Sequence, residues 1–282
     1  MIADQKDFIT PHIADSHTLD LPCFKPGFVC EYELPRWHPI HIGSFTLDIS
    51  PTRHVVMLWV GALLCLVFTL LALRAHNRRT RQGRAPGGVG GGFEAMVLYL
   101  RNEVVLPNVG PHGNAFVPYL LTLFFFILFV NLLGLIPYGA TATGNISVTA
   151  TLAIVTFFVI ELAGMRALGK GYINTIVFWP HDMSLGMKIF ISPILTPIEI
   201  IGKLTKPFAL AIRLFANMIS GHVVLLALIS LIFTFATWIL VPLPIAMALG
   251  IAMLELFVAF LQAFIFMLLS AVFIGLIRES AH

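Results

Sequence analysis

The polar residues that could bind or transfer an ion occur singly inside long apolar runs in the last third of the chain. They are Glu199, Arg213, Asn217, His222, Glu255 and Gln262. A charge at the centre of a bilayer costs about 2.5–3.5 kcal/mol even on the mildest scale, so each of these charges needs a reason to be there. Snorkelling toward the cytoplasmic face accounts for Lys203 and Lys206. It does not account for Arg213, because apolar residues continue from there to Leu240.

These residue types suit the movement of protons. A histidine titrates near pH 6.5 and can both accept and release a proton, so His222 and Glu255 together suit a proton relay. A hydrogen-bonded core histidine explains His222 equally well, but packing gives no reason for a single acid in the 33 residues from 245 to 277. An arginine cannot relay protons, because its pKa exceeds about 12. Arg213 therefore predicts a fixed positive charge that attracts a carboxylate and repels a proton.

Helical spacing assigns these side chains to faces. At about 100° per residue, five of them share one stripe about 80° wide if the helix bends only mildly at Pro207. They are Glu199, Lys203, Lys206, Arg213 and Asn217. His222 lies about 140° from the first of them, on another face. Glu255 and Gln262 share one face of the next apolar run, where we expect Glu255 to lie close enough to His222 to pair with it.

The composition of the chain assigns it to a membrane. Of the 282 residues, 58% are hydrophobic and 11% are charged, whereas soluble domains carry about 25% charged residues. The charge is too sparse to cover a water-facing surface, which excludes most soluble classes. We expect residues 1–54 to form a polar, extracytoplasmic extension that is irregular or weakly structured, and residues 55–282 to form the membrane domain.

Five apolar stretches of the membrane domain are each long enough to cross a bilayer, which takes about 20 residues. They lie near residues 55–73, 115–136, 146–165, 189–235 and 245–277. Residues 93–106 alternate apolar and polar side chains at near-helical spacing, which predicts a helix along the interface. The glycines at 87–92 predict a flexible linker, because no strand precedes them to form a phosphate loop.

Two patterns that resemble nucleotide or nucleic-acid sites have better explanations. Residues 164–171, GMRALGKG, lack the final Ser or Thr of a phosphate-binding loop and follow a membrane helix rather than a strand. The arginines between 74 and 84 adjoin a spanning helix and are typical of a cytoplasmic flank. We expect neither nucleotide nor nucleic acid as a partner.

The last apolar stretch is too long for an upright helix. Its 33 residues would extend about 50 Å, while the hydrocarbon core is about 30 Å thick, so tilt or kinking must absorb the excess. With Pro242 and Pro244 at the turn, the last two stretches predict a strongly tilted helical hairpin in an all-α, polytopic membrane fold. Three prolines in the first arm predict a kink or a separate first segment. They are Pro193, Pro197 and Pro207.

Basic flanks set the predicted orientation. The arginines after the first stretch, Arg166 with Lys170 after the third, and Arg278 after the fifth are all expected on the cytoplasmic side. The amino terminus then lies outside and the carboxyl terminus inside. Cys23 and Cys30 can pair if the extension faces an oxidising compartment, or stay two separate thiols.

Four short segments together resemble subunit a of F-type ATP synthase. They are Leu204–Met218 (LTKPFALAIRLFANM), Ser220–His222, Leu261–Met267 (LQAFIFM) and Asn131–Pro137 (NLLGLIP). The resemblance extends over residues 35–282 and is strongest over 199–278. Within the fourth segment we expect Asn131 to hydrogen-bond between helices rather than to line a path.

The resemblance implies a role for the central arginine. Arg213 matches the essential arginine of the family, which faces the carboxylates of a rotating c-ring. Asn217 and Gln262 match polar neighbours of that arginine. The tilted hairpin is then expected to lie against the c-ring.

The resemblance also implies two half-channels. Glu199 matches an acid of the cytoplasmic half-channel, while His222 and Glu255 match the pair of the outer half-channel. Some members have the acid and the histidine exchanged, which keeps one of each. Gly134 stands where some members carry an acid, and this departure puts a path role for that helix in doubt.

The function implied is that of a proton-conducting stator subunit of the Fo sector, which couples proton flow to rotation and makes no ATP itself. Its partners would be the c-ring, subunit b, other ATP synthase subunits and the bilayer, with no cofactor and no metal. The coupling ion can be H⁺ or Na⁺, and the membrane that of a bacterium or an organelle. The alternative is an autonomous secondary transporter or channel, but the chain lacks the internal repeat typical of those.

Overall fold

Long helices dominate the structure, which is a computed structural model. It describes residues 15–22, 29–38, 40–42, 45–48, 50–81, 88–110, 113–136, 141–175, 185–235 and 242–279. Within these residues, five helices are long and apolar enough to cross a membrane. The predicted all-α, polytopic membrane fold is therefore confirmed.

Seven α-helices occupy the described part of the membrane domain. They are α1 (Arg53–Arg81), α2 (Gly88–Tyr99), α3 (Leu106–Val109), α4 (Val117–Gly134), α5 (Ile146–Leu168), α6 (Leu185–Phe235) and α7 (Pro242–Glu279). A π-helical turn, Leu100–Val105, joins α2 to α3, and short 3₁₀ segments cover Gly113–Ala115, Ala142–Gly144 and Gly169–Thr175. The five candidate spans are α1, α4, α5, α6 and α7.

The spans differ in how much of their surface they bury. α1 exposes most of its leucines, such as Leu63 and Leu66, as expected of a helix that faces lipid. α4 buries Leu120, Phe124 and Ile127 completely. A helix that is apolar all round, as α4 is, belongs in the interior of a membrane bundle.

The chain divides into two compact units. The first unit comprises Met1–Thr69, Phe125–Val148 and Leu214–Gln262. The second comprises Leu70–Phe124, Thr149–Arg213 and Ala263–His282. In the first unit, Met57, Val130 and Ala142 form a buried cluster. Gly61 lets α1 approach α4 there, because a Cβ at that position would come within 2.8 Å of the Val130 side chain.

The amino-terminal extension is more regular than its sequence predicts. Strand β1 (Thr18–Pro22) pairs antiparallel with β2 (Val29–Glu33), and β3 (Ile40–Ile42) with β4 (Phe45–Leu47). The backbone N–H of Arg53 donates to the Ser16 carbonyl at 2.9 Å, which ties the extension to the start of α1. The expectation of an irregular segment is wrong for these residues. The possible pairing of Cys23 with Cys30 lies outside the described residues.

Helix α6 continues through all three of its prolines, so the expectation of a separate first segment is wrong. Pro193, Pro197 and Pro207 all lie inside this 51-residue helix. A proline inside a helix removes one i to i−4 hydrogen bond and kinks or breaks the helix, and α6 does not break at any of the three. At about 1.5 Å per residue the helix is about 77 Å long, far beyond the thickness of a hydrocarbon core. Its length agrees with the prediction that the last two spans cannot both be upright.

The glycine tract is helical where the structure describes it, so the predicted flexible linker is wrong there. α2 begins at Gly88 and takes in the glycines up to Gly92. A Cβ on Gly90 would lie 3.6 Å from the Cβ of Ala75 on α1, and His76 Nδ1 lies 2.9 Å from Glu94 Oε2. These contacts compensate for the low helix propensity of glycine, about 1 kcal/mol per residue. The predicted interfacial helix thus starts before residue 93.

Candidate functional site

Arg213 lies on the outward side of α6. Three of its neighbours in the helix, Leu210, Ala211 and Leu214, are buried, whereas Arg213 is exposed. Among the described residues, no side chain forms an ion pair with it. Because an uncompensated charge in lipid is costly, a guanidinium exposed on a spanning helix needs a counter-charge that the described residues do not supply.

Asn217 and Gln262 join α6 to α7 within the first unit. Asn217 Nδ2 donates to Gln262 Oε1 at 2.9 Å. Gln262 is only 1% exposed, and its Nε2 has no hydrogen-bond acceptor among the described residues. The two amides, which the family resemblance makes neighbours of the central arginine, therefore hydrogen-bond to each other, and both N–H donors of the buried Gln262 amide lack an acceptor among the described residues.

Glu255 is the buried acid of the first unit. It is 7% exposed and lies against Gly221 of α6, where a Cβ would come within 2.8 Å of its Oε1. Gly221 immediately precedes the half-buried His222. Glu255 thus packs against the residue that precedes His222 in α6, and the absence of a side chain at 221 makes the space for its carboxylate.

Asn131 links α4 to α7 and is completely buried. Its Nδ2 donates to the Ala259 carbonyl at 3.4 Å, and its Oδ1 accepts from Thr143 Oγ1 at 2.8 Å. Ala259 lies four residues after Glu255 and three before Gln262, so the link meets the same face of α7. Gly134 leaves no room for a side chain, because a Cβ there would clash with the side chain of Thr141.

Glu199 lines a cavity of about 550 Å³ in the second unit. The polar side chains of the lining are Glu161, Thr175, Glu199, Lys203 and Lys206, and the apolar walls come from α5, α6 and α7. A polar space of this size has room for on the order of ten waters. The side chain of Glu199 is exposed. An acid predicted to lie on a path therefore borders a space that water can fill.

Lys203 has an acidic partner within the chain, which the expectation of a snorkelling side chain did not include. Its Nζ lies 3.5 Å from Glu161 Oε2, with the two side chains only 14% and 12% exposed. It also donates to Thr175 Oγ1 at 3.0 Å and lies 4.9 Å from the centre of the Tyr172 ring. The aliphatic stem of Lys203 reaches Glu161 because the end of α5 lies close to α6. Lys206 stays exposed and lies 5.0 Å from the Phe273 ring.

Sequence reasoning missed Glu161, Tyr172 and Thr175 as parts of this cluster. The only signal was an acid near the end of an apolar stretch, and its partner lies 42 positions further along the chain. Arg213 and Glu199, which share a helix, have no direct contact with each other in the described structure. They are about 21 Å apart along its axis.

Comparison with known proteins identifies the family. A family model, ATP synthase A chain, matches residues 55–275. The chain belongs to the ATP synthase subunit a family. It is 46% identical over 265 residues to ATP synthase subunit a of Chloroherpeton thalassium, an alignment that covers 94% of this chain and 74% of that protein.

Other members of the subunit a family are similarly close. ATP synthase subunit a 2 of Prosthecochloris aestuarii is 47% identical over 279 residues, covering 98% of this chain and 80% of the relative. ATP synthase subunit a of Anaeromyxobacter dehalogenans is 43% identical over 272 residues, covering 94% and 67%. As a member of the subunit a family with five helices suited to span a bilayer, the chain is a multi-pass membrane component of an ATP synthase.

Proposed function

We propose that the chain is the proton-conducting stator subunit of the Fo sector. In this role it offers two offset half-channels to the carboxylates of a rotating c-ring and couples proton flow to rotation. The partners are the c-ring, a subunit b stator and the other ATP synthase subunits. The membrane is a bacterial plasma membrane, since the relatives named above are bacterial. The amino terminus lies outside and the carboxyl terminus in the cytoplasm.

The observation that carries the proposal is the exposed guanidinium of Arg213. It projects from a spanning helix and has no ion-pair partner among the described residues. A ring of carboxylates in a neighbouring chain supplies the counter-charge that such a group needs. Because an arginine keeps its proton at working pH, it can attract each carboxylate in turn without passing a proton through itself.

The first unit supports an entry path from the outside. Glu255 lies buried beside the turn of His222, and both side-chain types can take up and release protons. Asn217 and Gln262 follow along the same two helices and hold each other at 2.9 Å. The spare Nε2 donor of Gln262 is free to meet an acceptor on a partner chain.

The second unit supports an exit path to the cytoplasm. Glu199 borders the cavity of about 550 Å³, whose polar lining suits water. A proton released by a c-ring carboxyl opposite Arg213 would pass through this water to Glu199.

The order of events follows from these charges. A proton enters by His222 and Glu255 and neutralises a c-ring carboxyl, which can then turn through lipid at little electrostatic cost. After almost a full rotation the carboxyl meets Arg213, ionises, and releases its proton toward Glu199. Each elementary charge that crosses 100 mV supplies about 2.3 kcal/mol. Many such steps drive rotation, while ATP is made elsewhere in the complex.

The test is the loss of charge at position 213 in the assembled complex. Arg213→Ala and Arg213→Gln should reduce ATP-driven proton pumping in membrane vesicles to background, because nothing then ionises the c-ring carboxyl. Arg166→Gln is the matched control, because it removes an equal charge from an exposed arginine in the last turn of α5. It should pump normally.

Two outcomes would contradict the proposal. One is normal ATP synthesis by the Arg213→Ala complex when the variant subunit is incorporated in full. The other is proton transport by the purified chain alone in vesicles, which would mark it as an autonomous transporter. A stator subunit should instead co-purify with a c-ring and a soluble ATPase head.

A further inference from the structure

Two acids, Glu161 and Glu199, line the same cavity as Lys203, and the structure shows an ion pair with one of them. Glu199 precedes it by one turn on α6, in the i, i+4 order that favours an ion pair between Glu and Lys on a helix. Nevertheless, the carboxylate within 4 Å of Lys203 in the described chain is that of Glu161 on α5, at 3.5 Å. Lys203 therefore pairs with Glu161 on another helix and not with Glu199 on its own helix.

Three further contacts hold this pair. Thr175 Oγ1 accepts from Lys203 at 3.0 Å, and the ring of Tyr172 lies 4.9 Å from the ammonium. The hydroxyl of Tyr172 donates to Glu161 Oε2, the same oxygen that faces the lysine. In the described structure the Lys203 ammonium therefore contacts Glu161, Tyr172 and Thr175, and it forms no ion pair with Glu199.

The remaining charges on the cavity do not offer a substitute partner. Its ionisable lining is Glu161, Glu199, Lys203 and Lys206, while α7 contributes Phe273 and Ile277 to the described wall. Lys206 lies over the Phe273 ring. If Glu161 lost its charge, the carboxylate left on this lining for Lys203 would be Glu199.

We propose that Glu161 is a positioning residue that holds Lys203 away from Glu199, so that the Glu199 carboxylate stays available to protons released into the cavity. The inference rests on the proposed function, because it assigns Glu199 to the exit path. Glu161 itself carries no proton in this scheme. Tyr172 and Thr175 also contact the Lys203 ammonium and help to keep it beside Glu161.

Three variants of the assembled complex test this, with passive proton flux measured in vesicles after removal of the soluble head. Glu161→Gln should lower the flux roughly two- to tenfold, because a cation drawn close to the exposed Glu199 carboxylate opposes its protonation, an effect that solvent weakens. Lys203→Gln should stay within about twofold of the parent, because no cation is released. The double variant should recover the flux that Glu161→Gln loses.

The pattern of the three variants separates the proposal from its rivals. If Glu161 relays protons itself, both Glu161→Gln and the double variant lose flux, and the proposal is overturned. If the pair only supports the fold, Lys203→Gln loses as much as Glu161→Gln, which also overturns it. Equal flux in all three variants and the parent excludes any role for the pair.

A variant that keeps the charge adds a readout that loss of the ion pair alone would not produce. Glu161→Asp should restore most of the flux that Glu161→Gln loses, because the aspartate can still hold Lys203. A Glu161→Asp complex as slow as Glu161→Gln contradicts the proposal. Failure here leaves the Arg213 result untouched, so it is distinguishable from failure of the proposed function.

Discussion

Glu255 on α7 and Glu161 on α5 are both acids inside membrane-spanning helices, but their surroundings differ. Glu161 has a lysine at 3.5 Å and a tyrosine hydroxyl as partners. Glu255 is 7% exposed, packs against Gly221, and has no ion-pair partner among the described residues. Glu161 is therefore paired with a cation in the described structure, and Glu255 is not.

The difference indicates which acid can exchange protons. An adjacent cation fixes one protonation state of a carboxyl, because protonation would leave the cation alone in a poorly solvated place. A carboxyl without such a cation can change its protonation state at a lower cost in free energy. In the proposed scheme Glu255 therefore transfers protons, whereas Glu161 positions Lys203 beside the proposed exit group Glu199.

The largest expected effect in this comparison is at Glu255. Glu255→Gln should lower passive proton flux about a hundredfold or more, because it removes a group that gives and takes the proton. Glu161→Gln should lower the passive proton flux at most about tenfold. The two variants are compared in the same vesicles, with flux measured over a range of outer pH.

The control for Glu255→Gln is Glu103→Gln, which alters an exposed acid in the π-helical turn and should leave the flux unchanged. Exchange of the pair, as His222→Glu with Glu255→His, should keep part of the flux if the two side chains work together. A Glu255→Gln complex with the parent flux would refute the assignment.

A smaller effect is expected at Gly221. Gly221→Ala should displace the Glu255 carboxylate, since the new Cβ would lie 2.8 Å from its Oε1, and flux should fall several-fold. Gly202→Ala on the same helix is the matched control, because a Cβ there meets nothing within 4 Å. Alanine favours a helix over glycine by about 1 kcal/mol, so neither variant should unfold. Equal flux in the two variants would show that the position of the Glu255 carboxylate does not limit transport.

The sequence was sufficient to predict the spans and the lone polar residues. An arginine or an acid in an apolar run is visible without a structure, because the sequence shows it and a charge in lipid is costly. The nearness of Asn217 and Gln262, 45 positions apart, was implied by the resemblance to the subunit a family and not by helical spacing. The lone polar residues, in contrast, needed only the sequence of one helix each.

What the sequence could not predict depends on contacts between distant segments. Lys203 was assigned to snorkelling because its partner Glu161 lies on another span. The glycines of α2 were assigned to a linker because their helix depends on packing near Ala75. Local propensity was outweighed by tertiary contacts in both cases.

The smallest effect is expected where a hydrogen bond between helices only supports the face of α7 that carries Glu255 and Gln262. Thr143→Val removes the donor to Asn131 Oδ1 and leaves a buried acceptor unpaired, which should cost about 1–3 kcal/mol of stability. Thr122→Val is the control, because that exposed hydroxyl bonds only to its own helix at Pro118. Thermal stability of the purified complex should fall for Thr143→Val and not for Thr122→Val, with flux at low temperature preserved in both. A loss of flux without a loss of stability would instead make the link at Asn131 a member of the proton path, and the division between proton-exchanging and positioning groups would have to be redrawn to include α4.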